Sequence, residues 1–248
     1  MSDPITDKEC NELSIQVSLD GFSFYAKGER LRERTYNFKE PLSPEQCLEK
    51  IKTALTEEEL LKTTFDNVNV VYCNELYTLV PKSLFDADKS AEYLKYNTKI
   101  LSTDYIAHDY IETLELICVY IPFTNINNYF FECFGSFEYN HSITLKLDKL
   151  LGNLPLGNEP KIDIFIRKRH FDLVVHSGKQ LKLCNTFDHS VPEDIAYHTL
   201  FCYEQLGLDP NKDALNIYGS LKEDSETYKL LYTYIRNVNL INEEVLFA

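Results

Sequence analysis

One pattern occurs twice in this sequence and limits its fold more than any other feature. Leu13, Ile15, Val17 and Leu19 alternate with Ser14, Gln16 and Ser18, and Asp20-Gly21 then leads into Phe22, Phe24 and Ala26. An Asp-Gly pair between alternating runs is the strongest short hairpin signal, so two strands and a turn are expected. A third strand is expected over 34–39. Ser43-Pro44-Glu45-Gln46 then reads as a capping box with proline at the first helical position, and Cys47, Leu48, Ile51 and Leu55 follow at helical spacing. The second half repeats this plan. Ile162, Ile164 and Ile166 alternate with Asp163, Phe165 and Arg167, a turn is expected near Arg169, and 173–175 and 181–183 read as strands around Ser177-Gly178. Ser190-Val191-Pro192-Glu193 is a second capping box, and Gly207 with Pro210 stops its helix. Leu13 to Pro44 spans 31 residues, and so does Lys161 to Pro192. Two copies of strand–strand–strand–helix at matched spacing predict a structural duplication, although identity between them is negligible.

The segments between fill out each copy. Residues 68–73 and 76–80 read as a hairpin across Asn74-Glu75, Asp86 as the cap of a helix through Tyr96, and the apolar run 114–121 as a central strand. Thr124 is expected to cap a helix that Gly135 stops, and a short strand and a helix run on to Leu151. The run GNLPLGNEP at 152–160 reads as a linker. Gly152 and Gly157 have P-loop spacing, but Asn158-Glu159 stands where Lys-Ser/Thr would be needed. After it come a strand over 214–218 and a helix capped by Asp224 or Ser225 that runs to Arg236. The expected organisation is a tail over 1–12, a first half-domain over 13–152 with an inserted hairpin and helix, a linker over 153–160, and a second half-domain over 161–248.

A three-strand meander, a helix, then alternating strand and helix is the ribonuclease-H-like plan. Two tandem units predict a mixed α/β protein of actin-like ATPase architecture. The stretches VYCNELYTLVP (71–81), YIPFTNINN (120–128), FEYNHS (137–142), LGLDP (206–210) and YIRNV (234–238) resemble an uncharacterised bacterial family, domain-of-unknown-function family number 3822. The resemblance covers roughly 13–238. It implies the actin-like fold and brings no activity with it.

Charge narrows the function. Lys and Arg number 25 against 39 Asp and Glu, a net −14, so a phosphate backbone is repelled and nucleic acid is not an expected partner. The first ten residues lack a signal peptide's basic and apolar regions, and no run approaches the roughly 20 apolar residues of a membrane span; a cytoplasmic protein is expected. Seven dispersed cysteines form no C-x-x-C pair and read as small buried hydrophobes, with no metal expected.

An actin-like ATPase carries two phosphate-binding hairpins, each beginning with an Asp on the first strand and a glycine-rich turn. Here Ser18 stands where that Asp is expected, and Asp20-Gly21 sits in the turn. The second hairpin reads Arg167-Lys168-Arg169-His170 with no glycine, and the adenine-side loop retains only Gly219-Ser220. The cleft candidates are therefore Ser18, Asp20, Gly21, Arg167, Lys168, Arg169, Gly219 and Ser220. Their departures from the pattern predict lost catalysis, no bound cofactor, and action through an unidentified protein partner; an ATP-Mg-binding protein is the alternative. A nuclease-like triple, Asp163 with Glu193 and Asp194, would need convergence on two metals. His108-Asp109 and Asp188-His189 are strand neighbours that face opposite sides, so neither is a ready dyad.

Overall fold

The alternation at the start of the chain folds as an antiparallel meander of β1 (Glu12–Ser18), β2 (Gly21–Lys27) and β3 (Arg32–Asn37). The computed structural model describes residues 11–27, 32–58, 64–152 and 154–241. The expected tail therefore lies outside the described residues up to position 10, and Glu12 is already strand. The first turn holds Leu19 and Asp20, with Gly21 paired to Ser18 as the first residue of β2. Neither turn residue has a positive φ, so the expected Asp-Gly turn moves one residue earlier. Gly21 is required for another reason: a Cβ there would lie 2.5 Å from the Tyr36 carbonyl oxygen of β3.

The expected box caps α1 (Pro44–Glu57): Ser43 Oγ accepts from the Gln46 amide, and Gln46 Oε1 accepts from the Ser43 amide at 3.0 Å. The helix buries Cys47, Ile51 and Ala54 and carries the chain into β4 (Asn67–Tyr72), which lies parallel to β1. β4 also pairs with β8 (Glu138–His141), giving the order β3-β2-β1-β4-β8. The expected hairpin across Asn74-Glu75 does not form, because β1 and β8 occupy both edges of β4. At Asn74 the chain leaves this sheet: its side chain donates to the Ile121 carbonyl and accepts from the Leu76 amide. The insertion is then a three-stranded antiparallel sheet of β5 (Tyr77–Pro81), β6 (Ala107–Ile111) and β7 (Leu116–Tyr120), with β7 central and α2 (Ser90–Leu94) between β5 and β6. The insertion thus keeps the expected helix, Asp86 capping the single turn Ala87–Lys89 that leads into α2, and replaces the expected hairpin with this sheet. α3 (Thr124–Phe134) follows; Thr124 is its first helical residue rather than its cap, and Gly135 ends it at φ 74°.

After β8, α4 (Ser142–Leu151) buries Leu147 and Leu151. Over the described residues the chain divides into two compact units that meet between Lys146 and Leu147, so the boundary falls inside α4. The expected linker over 153–160 is mostly strand. β9 (Leu156–Ile166) pairs across it with β10 (His170–Gly178), Leu156 opposite Gly178 and Pro160 opposite Ser177. Pro160 is tolerated because only β10 pairs with this stretch, beside a register irregularity; pairing with the next strand on the other side begins at Lys161.

The second unit repeats the first. β11 (Gln180–Asp188) completes the meander, and β12 (Ala214–Tyr218) and β13 (Val238–Ile241) add parallel strands in the order β11-β10-β9-β12-β13. α5 (Pro192–Gln205) and α6 (Glu226–Tyr234) pack on one face. That face is apolar by alternation: Ile162, Ile164, Leu173, Val175, Leu215 and Ile217 meet Ile195, Cys202, Tyr203 and Leu231. The second box forms one residue late. Val191 occupies the cap position and its side chain can accept nothing, while Asp194 accepts the Ser190 and Val191 amides at 2.7 and 3.2 Å.

Candidate functional site

Ligands of open α/β sheets bind outside the carboxyl ends of parallel strands, and all eight candidate residues lie at such ends, three in the first unit and five in the second. In the first, β1 ends in the turn that holds Ser18, Asp20 and Gly21. Ser18 Oγ stands 2.5 Å from Asp20 Oδ1 and 2.7 Å from the Gly21 carbonyl. The turn's outward carbonyls are also taken, that of Asp20 by the Phe38 amide and that of Leu19 by the Leu42 amide. Cys47 Sγ donates to the Ser18 carbonyl at 3.6 Å; burial and the nearby Asp20 push its thiol up to about 12, so it is no nucleophile at neutral pH.

In the second unit the structure brings Arg167, Lys168 and Arg169 beside Gly219 and Ser220. A Cβ on Gly219 would lie 2.9 Å from the carbonyl of Ile166, the residue before Arg167, and Gly219 has φ 131°. Close backbone approach thus accounts for this glycine without a ligand. The basic turn is anchored from inside. Arg167 Nη2 pairs at 3.2 Å with Asp172, which is fully buried and also accepts from Thr186 Oγ1 at 2.7 Å. His189 Nε2 bonds the Arg167 carbonyl at 2.8 Å, and the His189 amide donates to the Arg169 carbonyl at 2.7 Å. Lys168 and Ser220 are exposed, and Arg169 is half-buried.

The nuclease-like triple does not assemble. Asp163 is fully buried, accepting from His176 Nε2 at 2.8 Å and Asn216 Nδ2 at 2.9 Å, while Asp194 caps α5. Nδ1 of His176 faces the Gly178 carbonyl at 2.8 Å. Among the described residues no three His, Cys, Asp or Glu side chains cluster to hold a metal. The cysteines are less uniformly buried than expected: Cys133 is exposed and Cys184 half-buried.

One polar centre escapes sequence reasoning. Asp109 of β6, 7% exposed, accepts from the His141 amide at 2.7 Å, Thr144 Oγ1 at 2.8 Å and Tyr120 OH at 3.1 Å. Burial raises its pKa against the pull of these bonds. His141, fully buried, accepts the Ile143 amide on Nδ1 at 3.2 Å, so Nε2 carries its proton toward the Asn74 carbonyl at 3.1 Å. Asp109 is the deep member of the His108-Asp109 pair, and its partners His141 and Thr144 come from 32 and 35 residues away.

The fold has solved counterparts. A Bacteroides thetaiotaomicron protein described as having an actin-like ATPase fold and unknown function superposes with a TM-score of 0.83, at 20% identity over 98% of this chain and 95% of that one. The PilM-PilN type IV pilus biogenesis complex gives a TM-score of 0.57, at 12% identity over 93% of this chain and 88% of that one. The ethanolamine utilization protein EutJ from Carboxydothermus hydrogenoformans gives 0.51, at 6% identity over 97% and 85%. No curated protein sequence matches the chain. No helix among the described residues is long and apolar enough to cross a membrane. The model of one family spans residues 3–238, and with nearly its whole length inside that match this chain, a two-unit protein of actin-like ATPase fold, belongs to the family described as protein of unknown function (DUF3822).

Proposed function

We propose that this protein is a non-catalytic, cytoplasmic member of the actin-like fold that acts by binding a protein partner. The observation that carries the reading is the state of the two hairpins. In the first, Ser18 replaces the strand Asp, and its hydroxyl turns back onto Asp20 and Gly21. In the second, Arg167 is held by the buried Asp172, and two carbonyls of the turn accept from His189 or face its ring. A phosphate-binding loop works by aiming free backbone N–H groups at the anion; in the second turn the Arg167 amide is instead spent on the His170 carbonyl at 2.9 Å. One relative of the fold is known from a complex, that of PilM with PilN, which fits a role in assembly. The acidic net charge of −14 favours a basic partner surface.

The test is thermal stability with excess Mg-ATP. A ligand at 100 times its dissociation constant stabilises by about 2.7 kcal/mol, several degrees for a chain of this size. No shift is expected. A clear rise in melting temperature that disappears in Asp20→Ala would overturn the reading in favour of a nucleotide-binding protein.

A further inference from the structure

A cavity of about 450 Å³ opens beside β6 within the first unit, with Asp88, Tyr105, His108, Asp109, Tyr120 and Tyr139 on its wall. Four groups donate to Asp109: the His141 amide, Thr144 Oγ1, Tyr120 OH and the Asn140 side chain. All four are neutral. They hold the carboxylate in place and do not cancel its charge. His141 accepts the Ile143 amide on its Nδ1. Among the described residues no Lys or Arg pairs with Asp109. Carboxylates this deeply buried are rare unless paired.

The remaining wall narrows the missing charge. A hard metal ion needs six or more oxygens at close range, and among the described residues no three His, Cys, Asp or Glu side chains cluster to supply them. Tyr105, which is exposed, and Tyr139, which is half-buried, border the space, while Tyr120 lies fully buried behind Asp109. Burial and the Tyr105 hydroxyl push Tyr139 up to about 12, and burial and Asp109 push Tyr120 higher still, so both phenols are neutral at physiological pH. Neutral aromatic side chains beside a carboxylate attract a diffuse organic cation. Asp88 is exposed on the same wall and adds a second carboxylate.

We propose that this cavity binds an alkylammonium or guanidinium group, with Asp109 as the buried counter-charge and Tyr105 and Tyr139 as its walls. The site does not depend on the state of the hairpins. Its cation comes either from a free small molecule or from a Lys or Arg side chain of a partner, and the two sources share the same chemistry.

N-acetylargininamide and its uncharged counterpart N-acetylcitrullinamide are the probes, read by calorimetry and saturation-transfer NMR on the full chain. The arginine probe is expected to bind and the citrulline probe not to. Asp109→Asn should weaken binding about tenfold, the effect of losing a charged partner. Asp109 is buried, so Ala91→Phe is the second variant: Ala91 is an exposed wall position, and a ring there fills the cavity and should abolish binding. An arginine-containing hexapeptide that binds more tightly than the single residue assigns the cation to a partner chain; equal affinity assigns it to a free small molecule. Failure of the arginine probe to bind, equal binding of the two probes, binding that persists in Ala91→Phe, or saturable binding of Mg²⁺ in place of the arginine probe overturns the proposal. None of these results moves the Mg-ATP test, so the two readings fail separately.

Discussion

The two units share one strand order and almost no chemistry. Both build a meander, a helix and two parallel strands, β3-β2-β1-β4-β8 in one and β11-β10-β9-β12-β13 in the other. At the first hairpin the resemblance ends. The first unit closes a two-residue turn with a neutral hydroxyl, Ser18, and crowds Gly21 against an edge strand. The second anchors a wider basic turn to a buried carboxylate through Arg167. The insertion after β4 adds a sheet and a buried carboxylate hub to the first unit; the second places Asp163 with His176 on its own sheet. Alternating apolar residues and a capped helix are enough to specify the topology, which leaves the polar residues at the strand ends free to diverge.

The sharpest way to break that contrast is Arg167→Ala. The substitution leaves the Asp172 carboxylate buried without its guanidinium, and a broken buried pair costs about 3 kcal/mol. Replacing both partners, Arg167→Met with Asp172→Asn, should recover most of the loss, because no buried charge remains. Urea midpoints of the two variants decide it. Equal losses would mean that the pair does not anchor the turn.

Next in size are the two glycines. Gly219→Ala meets the Ile166 carbonyl of an interior strand at 2.9 Å and also forces φ 131° on a residue with a Cβ. We expect a cost of about 2 kcal/mol or more. Gly21→Ala meets Tyr36 at 2.5 Å, but β3 is an edge strand and can move, so its cost should be smaller. Denaturant midpoints should rank Gly219→Ala as the more damaging. The reverse order would show that β3 is held as firmly as β9.

The helix caps predict a smaller difference that depends on pH. α1 is capped by the Ser43 hydroxyl, which accepts the Gln46 amide and donates to Glu45 Oε2 at 2.8 Å, and Ser43→Ala should cost about 1 kcal/mol at neutral pH. α5 is capped by Asp194, whose pKa lies below the ordinary aspartate value because the Ser190 and Val191 amides bond its charged form. A lowered folded pKa contributes stability above the unfolded value, and that contribution is lost as pH falls through the folded pKa. Below about pH 3.9, the Ser190 and Val191 amides at α5 should therefore progressively lose protection toward hydrogen exchange, while the Gln46 amide of α1, bonded to the Ser43 hydroxyl, keeps more of its own. Parallel loss in both helices would remove the distinction.

How much of this was legible follows from which interactions are local. The meanders and α1's box rest on alternation and on contacts three residues apart, and they stand in the structure close to where the pattern puts them. The hairpin at Asn74-Glu75 fails because sequence spacing cannot reveal that both edges of β4 are already taken. The linker at 153–160 fails because glycine and proline punctuate strands as well as loops when only one edge is paired. Among the candidates, Gly219 lies beside the Arg167 turn because β9 and β12 run parallel, a long-range pairing that no motif encodes. Asp109 was legible only as the buried alternative to His108; its donors are brought to it by β8 and α4, more than 30 residues later.

The smallest expected effect on stability is also the one that bears most on partners. Arg167 is committed inward, so charge reversal of the basic turn falls on Lys168, which is exposed, and Arg169, which is half-buried. The turn's shape rests on backbone bonds, from the Arg167 amide to the His170 carbonyl at 2.9 Å and from the His189 amide to the Arg169 carbonyl at 2.7 Å. Neither bond needs the two side-chain charges. Lys168→Glu with Arg169→Glu should therefore change unfolding free energy by less than about 1 kcal/mol, the range of surface charge pairs. Against a body of net charge −14, this turn is a local positive tip suited to an acidic groove. A contact made there is weakened by salt, because exposed charges are screened within about 10 Å at 0.1 M ionic strength. Pull-down with mass spectrometry at two salt concentrations, wild type against the double reversal, reads the result. Loss of one salt-sensitive partner with unchanged melting makes the turn a contact site; retention of every partner makes it a solvated loop, and the difference between the two hairpins then concerns stability alone.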